Sequence, residues 1–373
     1  MTVVGVDVSA IPSDPRGAGR YVVELVRALD ARHEVELRLE ARKDDGERWQ
    51  HLAPRAQVRP VVPASKLRRL AWEQIAAPRF VDRWGIDVLH APHYTMPEVA
   101  KVPKVVTIHD LTFFDRPELH ERVKVSFFSR AIKVAAKLAD ALVCVSAPTA
   151  RRLEELLEPK APVHVIPHGV DHDTFRPDDP AGDDERLLSE LGVRGRYLAF
   201  VGTLEPRKNV SGLVQAFDRL AGSKEHDDVT LVIAGGSGWG NEAFERALAA
   251  SPAKDRIIRT GYVAQEALPA LMRHAEAVVY PALEEGFGLP VLEALACGTT
   301  AITTADSVMD EIAEGAAVAI PGGDVEALAN ALRARLERGP DSDRRERGLA
   351  VARRYTWDAC AAAHEAVYRA TAR

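Results

Sequence analysis

The sequence has few cysteines and no long apolar run. Its three cysteines, Cys144, Cys297 and Cys360, lie far apart without paired spacing, so we expect reduced core thiols rather than a disulfide framework. No apolar run approaches the roughly 18–20 residues of a membrane helix. A β-rich run at residues 3–8 begins almost directly after Met1, with no basic leader or apolar signal region. These absences predict a cytoplasmic protein that is neither secreted nor membrane-spanning.

The charge also excludes some partners. The net charge of −6 argues against nucleic-acid binding, and we expect no nucleic-acid partner. Residues 1–176 carry 27 Lys and Arg against 24 Asp and Glu, so the first half is the more basic one. Its stretch 66–72 is basic and amphipathic enough for peripheral contact with the inner face of a membrane. A surface helix packed through Leu67, Leu70 and Trp72 explains the same stretch.

Short β-rich runs alternate with helical segments throughout, including a long helix predicted at residues 66–84. This order is typical of α/β parallel sheets crossed by helices. The 373 residues exceed one ordinary core, so we predict two Rossmann-like domains at 1–176 and 177–356, with a last helix at 357–373. The Pro-, Gly- and Asp-rich stretch 176–184 is predicted to be a linker. Two such domains are expected to face each other across a ligand cleft at the carboxyl ends of their strands.

The most specific motif lies at residues 284–298, between a predicted strand and a helix that Gly298 ends. Gly286 and Gly288 open the helix, whose first backbone N–H groups and positive dipole end suit a phosphate. Glu285 and Glu293 flank this turn, and their carboxylates suit sugar or ribose hydroxyls. Glu293 alone is equally explained as a complement to the helix N-terminus.

Two further motifs follow predicted strands. Arg207 and Lys208 form a basic pair, expected on a solvent-facing turn, that could neutralise a diphosphate. Gly17 and Gly19 follow the first strand and permit a close backbone approach to phosphate or sugar. The third glycine of the dinucleotide fingerprint is missing there, so we do not expect an NAD-dependent dehydrogenase.

His109 ends a predicted buried strand, and its position favours a role at a reacting centre. Asp171 and Asp173 have the spacing of a metal-binding Asp-x-Asp motif, but no carboxylate cluster is nearby in the sequence. We interpret them as turn formers and expect no metal.

Together these motifs resemble the retaining glycosyltransferases of family 4 (GT4), which have the GT-B fold. The resemblance covers nearly the whole chain. It is carried by segments 17–21, 87–90, 108–110, 166–170, 207–209, 261–263 and 285–293.

The family resemblance implies a role for each matching residue. Arg207 and Lys208 would hold the donor diphosphate and stabilise it as it leaves. Glu285 would bind hydroxyls of the donor sugar, and Glu293 those of the ribose. His109 would contact the donor sugar near the reacting carbon. The remaining implied donor contacts are Gly17, Gly19, Thr203, Tyr262, Val263, Gly286, Phe287, Gly288 and Leu289.

The donor is less narrowly defined. Many relatives carry an arginine where this sequence has Thr203, so the diphosphate charge would rest on Arg207 and Lys208. Segments 202–209, 72–74 and 109–111 look most like those of the family's mannosyltransferases, which indicates GDP-mannose. A UDP-sugar-dependent glucosyl- or N-acetylglucosaminyltransferase of the same family is the alternative.

The implied reaction is front-face transfer without a metal or cofactor, with the nucleotide sugar as a substrate and a glycan, a lipid-linked sugar or a small molecule as acceptor. Fixed cations and a helix end would stabilise the leaving group. The last helix of the family crosses back to the first domain. A catalytically inactive nucleotide-sugar-binding protein is the alternative from a different class.

Overall fold

Two units of the chain each contain one all-parallel sheet. The computed structural model describes residues 1–15, 17–222 and 224–372. The first unit comprises Met1–Gly169 and Thr356–Arg373, and the second comprises Val170–Tyr355. The division after Gly169 falls earlier than the predicted one after residue 176, and Arg373 of the predicted last helix lies outside the described residues.

The first sheet has seven strands in the order β3-β2-β1-β4-β5-β6-β7. These are β1 (Val3–Asp7), β2 (Glu36–Arg42), β3 (Gln57–Val62), β4 (Val88–Ala91), β5 (Lys104–Ile108), β6 (Ala141–Cys144) and β7 (Val163–Val165). The sequence predicts six of them, from β-rich runs at 3–8, 34–39, 88–90, 104–109, 141–145 and 163–166. It does not predict β3, because Arg59 and Pro60 interrupt its apolar pattern, which is tolerated at the edge of a sheet.

Eight helices belong to the first unit among the described residues. They are α1 (Ala18–Arg32), α2 (Gly46–Leu52), α3 (Lys66–Ile75), α4 (Ala77–Arg83), α5 (Thr112–Asp115), α6 (Arg122–Leu138), α7 (Ala147–Leu157) and the last helix, α16 (Trp357–Thr371). The single helix predicted at 66–84 is wrong. Pro78 cannot donate the backbone hydrogen bond of a helix interior, and the chain breaks at Ala76 into α3 and α4.

The helix α16 packs against α1 within the first unit, as predicted for the last helix of the chain. Arg32 donates to Glu365 at 2.9 Å and to Asp358 at 2.7 Å. Inside the core, His364 Nε2 lies 2.8 Å from the Tyr21 hydroxyl. The chain enters α16 against Gly169, where a Cβ atom would come within 2.1 Å of the Trp357 nitrogen.

The second sheet has six strands in the order β10-β9-β8-β11-β12-β13. These are β8 (Arg196–Val201), β9 (Val229–Ala234), β10 (Ile257–Gly261), β11 (Ala277–Tyr280), β12 (Ala301–Thr304) and β13 (Val318–Ile320). The sequence predicts all six, from β-rich runs at 197–201, 229–234, 256–259, 277–280, 299–303 and 317–320. The helices are α8 (Asp184–Glu190), α9 (Val210–Ala221), α10 (Glu242–Ala250), α11 (Leu268–Arg273), α12 (Leu289–Ala296), α13 (Val308–Ala313), α14 (Val325–Arg338) and α15 (Ser342–Ala352).

The stretch 176–184, predicted to be a linker, belongs to the second unit. Asp184 is 3% exposed and accepts hydrogen bonds from Arg273 at 2.6 and 2.8 Å. Arg273 also donates to the backbone oxygen of Arg176 at 3.0 Å. Asp184 and Arg273 are far apart in sequence, so local composition could not reveal their ion pair. It therefore predicted a linker in a stretch that packs within the second unit.

Both sheets confirm the predicted doubly wound α/β architecture. In each, the strand order reverses at one point: between β1 and β4 in the first sheet, and between β8 and β11 in the second. Ligands of such sheets bind outside the carboxyl ends of the strands at this reversal.

Candidate functional site

The strongest sequence motifs lie together at the carboxyl edge of the second sheet. The turn 202–209 follows β8, and the turn 281–288 follows its neighbour β11. The backbone N–H of Leu283 donates to the backbone oxygen of Arg207 at 2.7 Å. The two turns are therefore joined at the point where the strand order reverses.

Arg207 is held by two carboxylates. Its Nη1 lies 2.7 Å from Glu285 Oε1, and its Nε donates to Glu205 Oε2 at 2.9 Å. Nη1 also donates to the backbone oxygen of Glu284 at 3.2 Å. The side chain is only 17% exposed, so the guanidinium is fixed in place before any ligand binds.

Lys208 is buried at 8% exposure, which corrects the expectation of a solvent-facing pair. The 3₁₀ turn Pro206–Lys208 precedes α9, and Lys208 Nζ lies 5.7 Å from the centroid of the Tyr280 ring. Gly202 leaves space for the ammonium, since a Cβ atom there would come within 2.9 Å of Nζ. Burial lowers the pKa of Lys208, and the nearby Glu285 carboxylate opposes this shift.

Glu285 is half-buried, with 14% of its side chain exposed, and it is ionised at neutral pH. Burial alone raises its pKa, but the charges of Arg207 and Lys208 more than offset this, and the net shift is downward. The Tyr280 hydroxyl donates to Glu285 Oε1 at 2.7 Å. Its ring stacks on Phe200 with centroids 5.8 Å apart. Tyr280 was not predicted as a site residue, although its position as the last residue of β11 could have indicated it.

The glycine turn before α12 has the predicted form. Gly288 is the N-cap residue, with φ 93° and ψ 45° in the left-handed region. A side chain there would also collide with Met309, whose Cγ would lie 2.5 Å from an added Cβ. Gly286 and Phe287 are buried, and the Phe287 ring contacts Tyr355 edge-on at 6.1 Å. Leu289 begins α12, so the N-terminus of this helix lies at the same edge as Arg207.

The other predicted residues of this unit are more spread out. Glu293 lies in the second turn of α12 and is 2% exposed. Thr203 directly follows Gly202 in the turn after β8 and is half-buried. Tyr262 and Val263 follow β10, two strands from β8, or about 10 Å along the sheet edge. Tyr262 is 55% exposed, whereas Val263 is buried.

His109 lies at the carboxyl end of β5 in the first unit. Its Nε2 is 2.8 Å from the backbone oxygen of Pro92. A carbonyl can only accept, so Nε2 carries the proton and Nδ1 is an acceptor. Burial, reinforced by His93, lowers the pKa of His109 to about 4. The imidazole is therefore neutral near pH 7, and it packs edge-on against Tyr21 with centroids 5.1 Å apart.

Gly17 and Gly19 lie where β1 leads into α1. Gly17 has φ 49° and caps the N-terminus of α1. Gly19 packs against Pro15, whose Cβ would lie 3.2 Å from an added side chain. Arg16, which lies within this motif, is outside the described residues.

The Asp171 carboxylate is engaged within its own turn. Oδ1 accepts from the backbone N–H groups of Asp173 at 3.1 Å and of Thr174 at 3.3 Å, and Oδ2 accepts from the Thr174 hydroxyl at 2.6 Å. Such bonds are typical of turns that begin with aspartate.

The doubly wound sheet, with two fixed cations and a glycine-opened helix end at its reversal point, has the arrangement in which α/β proteins commonly bind phosphate groups. Residues 15–174 match the family model Glycosyltransferase Family 4, and residues 188–348 match the model Glycosyl transferases group 1. The chain belongs to the family 4 glycosyltransferases, which confirms the resemblance predicted from the motifs.

Two relatives and one solved structure illustrate the similarity. The chain is 27% identical to O-antigen chain mannosyltransferase B of Escherichia coli over 92% of this chain and 93% of that protein. It is 33% identical to D-inositol 3-phosphate glycosyltransferase of Xylanimonas cellulosilytica over 77% of this chain and 67% of that protein. A crystal structure of Anabaena Alr3699/HepE in complex with UDP-glucose matches with a TM-score of 0.75 at 18% identity, over 99% of this chain and 100% of that one.

Among the described residues, no helix has the length and apolar character needed to cross a membrane.

Proposed function

We propose that this family 4 glycosyltransferase is a retaining hexosyltransferase that takes mannose from GDP-mannose and needs no metal or cofactor. The main support for this proposal is the fixed ion cluster of Arg207, Lys208 and Glu285 beside the N-terminus of α12. The relation to an O-antigen mannosyltransferase over 93% of its length supports mannose as the transferred sugar.

The cluster suits a leaving diphosphate. Two buried or half-buried cations and a helix N-terminus stabilise negative charge without reorganising during the reaction, which is the requirement for electrostatic catalysis. Glu285 uses Oε1 for both Arg207 and Tyr280. We assign its second oxygen, Oε2, to hydroxyls of the donor sugar, and Glu293 to those of the ribose.

The proposed transfer occurs on one face of the sugar. The bond between the anomeric carbon and the phosphate oxygen breaks, and the acceptor oxygen bonds to the same face while its proton passes to the departing phosphate. Glu285 is already engaged by Arg207 and Tyr280, which disfavours it as a nucleophile. His109, neutral and with its Nε2 proton fixed by Pro92, is assigned to hydrogen bonding with the donor sugar.

A UDP-sugar donor is the second candidate, because the structurally similar Alr3699/HepE was solved with UDP-glucose. Calorimetric titration with GDP and with UDP separates the two. Tighter binding of GDP, followed by turnover of GDP-mannose in a donor panel, is expected. Tighter binding of UDP would overturn the GDP-mannose assignment, and a panel that binds without any turnover would indicate an inactive binding protein.

We propose a glycan or lipid-linked acceptor, reached by peripheral contact at the cytoplasmic face of a membrane. On α3, Leu67 is 79% exposed and Ile75 is 74% exposed. The alternative interpretation, a surface helix packed through Leu67, therefore does not hold for this residue. Lys66 and Arg68 lie on the same helix and suit anionic headgroups. Trp72, by contrast, points inward and donates to Glu40 at 2.7 Å.

Sedimentation with phosphatidylglycerol vesicles tests this contact. The wild-type protein should sediment with anionic vesicles and not with phosphatidylcholine vesicles. The Leu67→Ser variant should bind the anionic vesicles more weakly. Equal recovery of both proteins in the supernatant would contradict the membrane proposal.

A further inference from the structure

Three side chains with metal-binding atoms lie at the amino edge of the second sheet, opposite the carboxyl edge that carries Arg207. His226 ends the 3₁₀ turn Lys224–His226, which precedes the amino end of β9. Glu225 is its neighbour, and Glu337 is the penultimate residue of α14. One potential ligand atom from each of Glu225, His226 and Glu337 lies within 4.8 Å of the other two.

His226 is the unusual member of this group. Its side chain is buried at 5% exposure, yet neither Nδ1 nor Nε2 has a hydrogen-bond partner among the residues that the structure describes. Buried polar atoms are normally bonded. Glu225 and Glu337 are exposed, so two carboxylates on the surface adjoin one buried imidazole. A ligand that binds both an imidazole nitrogen and carboxylate oxygens would satisfy this arrangement.

We propose that Glu225, His226 and Glu337 form a binding site for a divalent transition-metal ion, with zinc as the best match. One imidazole nitrogen and two carboxylate oxygens leave the fourth tetrahedral position of zinc for water. Ligand atoms around zinc lie about 3.3 Å apart, given bonds of about 2.0–2.1 Å. The two exposed glutamates can turn inward to close the difference from 4.8 Å. Magnesium, which prefers oxygen ligands and retains several waters, suits the site poorly.

The backbone that carries His226 is already fixed. Arg256 donates to the backbone oxygen of His226 at 2.7 Å and to that of Ala221 at 3.1 Å, and so bridges both ends of the turn. An ion held by His226 and Glu337 would join this turn to the end of α14. The metal would therefore reinforce the second unit.

The site is remote from the donor motifs. It adjoins the amino end of β9, whereas the donor motifs follow the carboxyl ends of the neighbouring strands. The six residues of β9 span about 17 Å. The ion is thus a structural one, and this inference does not depend on the proposed glycosyl transfer.

Calorimetric titration of the EDTA-treated, chelator-free protein with zinc chloride tests the site. We expect one zinc-binding event that Glu337→Gln or His226→Gln weakens at least about tenfold, the loss that even an outer-shell partner can cause. With zinc about 100-fold above its Kd, the thermal midpoint should rise by about 5 °C or more. Magnesium chloride should cause neither effect.

The matched control is Glu346→Gln, which removes an exposed glutamate on α15 of the same unit. It should bind zinc like the unchanged protein. Because Glu337 is exposed, Glu337→Gln should fold normally, which an unchanged thermal midpoint in the absence of zinc would verify. Undiminished zinc binding by Glu337→Gln would overturn the proposal, whatever the result for the donor site.

Discussion

Tyr280 is predicted to fix the carboxylate of Glu285, which lies beside the cations Arg207 and Lys208. Tyr280→Phe removes the hydroxyl that donates to Glu285 at 2.7 Å and retains the ring contacts with Phe200 and Lys208. A hydrogen bond to a charged group contributes about 1.5–3 kcal/mol. If this contribution is expressed in the transition state, kcat/KM for the donor falls about 10- to 150-fold.

The assay is release of nucleoside diphosphate from the donor, measured from acid to alkaline pH. Loss of the hydroxyl removes one influence that lowers the pKa of Glu285, so the acid limb of the profile should move to higher pH. Tyr197→Phe is the control: its hydroxyl donates to the backbone oxygen of Leu271 at 3.0 Å, and its loss should leave the profile unchanged. Indistinguishable kcat/KM values for Tyr280→Phe and the unchanged enzyme would refute the positioning role.

Asp184→Asn breaks the buried pair with Arg273 and should lower the unfolding free energy in urea by about 3–5 kcal/mol. Asp183→Asn, which alters an exposed pair, should change it little, and equal effects would contradict the burial argument. Burial lowers the pKa of His109 and His364 from 6.5 to about 4, so below pH 6.5 the unfolded chain takes up these protons first. Stability should fall by about 3 kcal/mol for each histidine as the pH drops to 4, and the fall should be smaller in His364→Gln; an identical pH dependence would oppose this. Transfer should persist in EDTA, whereas full loss restored by magnesium or manganese would contradict the metal-free proposal.

The sequence predicted the sheets well because parallel strands buried on both faces form short apolar runs between helices. The four inner strands of the second sheet, β8, β9, β11 and β12, follow this pattern. Prediction from the sequence failed where the composition of a segment does not indicate how that segment packs in the fold. The edge strand β3 tolerates Pro60, and Asp184 is buried against Arg273 and His274, which are distant in sequence.

The site was predictable to a similar extent. The turns that carry Arg207, Lys208 and Glu285 follow neighbouring strands, so their proximity follows from the doubly wound topology. The burial of Lys208 was not predictable, since an Arg-Lys pair in a turn is usually solvated. Its burial depends on Tyr280, which belongs to the adjacent strand and carries no motif of its own.

The most direct measurement of the central claim is GDP binding by Lys208→Met, a change that retains an unbranched side chain but removes the charge. At about 4 Å from a phosphate charge and an effective dielectric constant of about 20, an ammonium contributes about 4 kcal/mol. Calorimetry should therefore show GDP affinity weakened on the order of 100- to 1,000-fold. Lys254→Met, which removes an exposed charge of the same unit, should bind GDP like the unchanged protein. Equal GDP affinity in Lys208→Met and Lys254→Met would contradict the assignment of this cluster to the donor diphosphate.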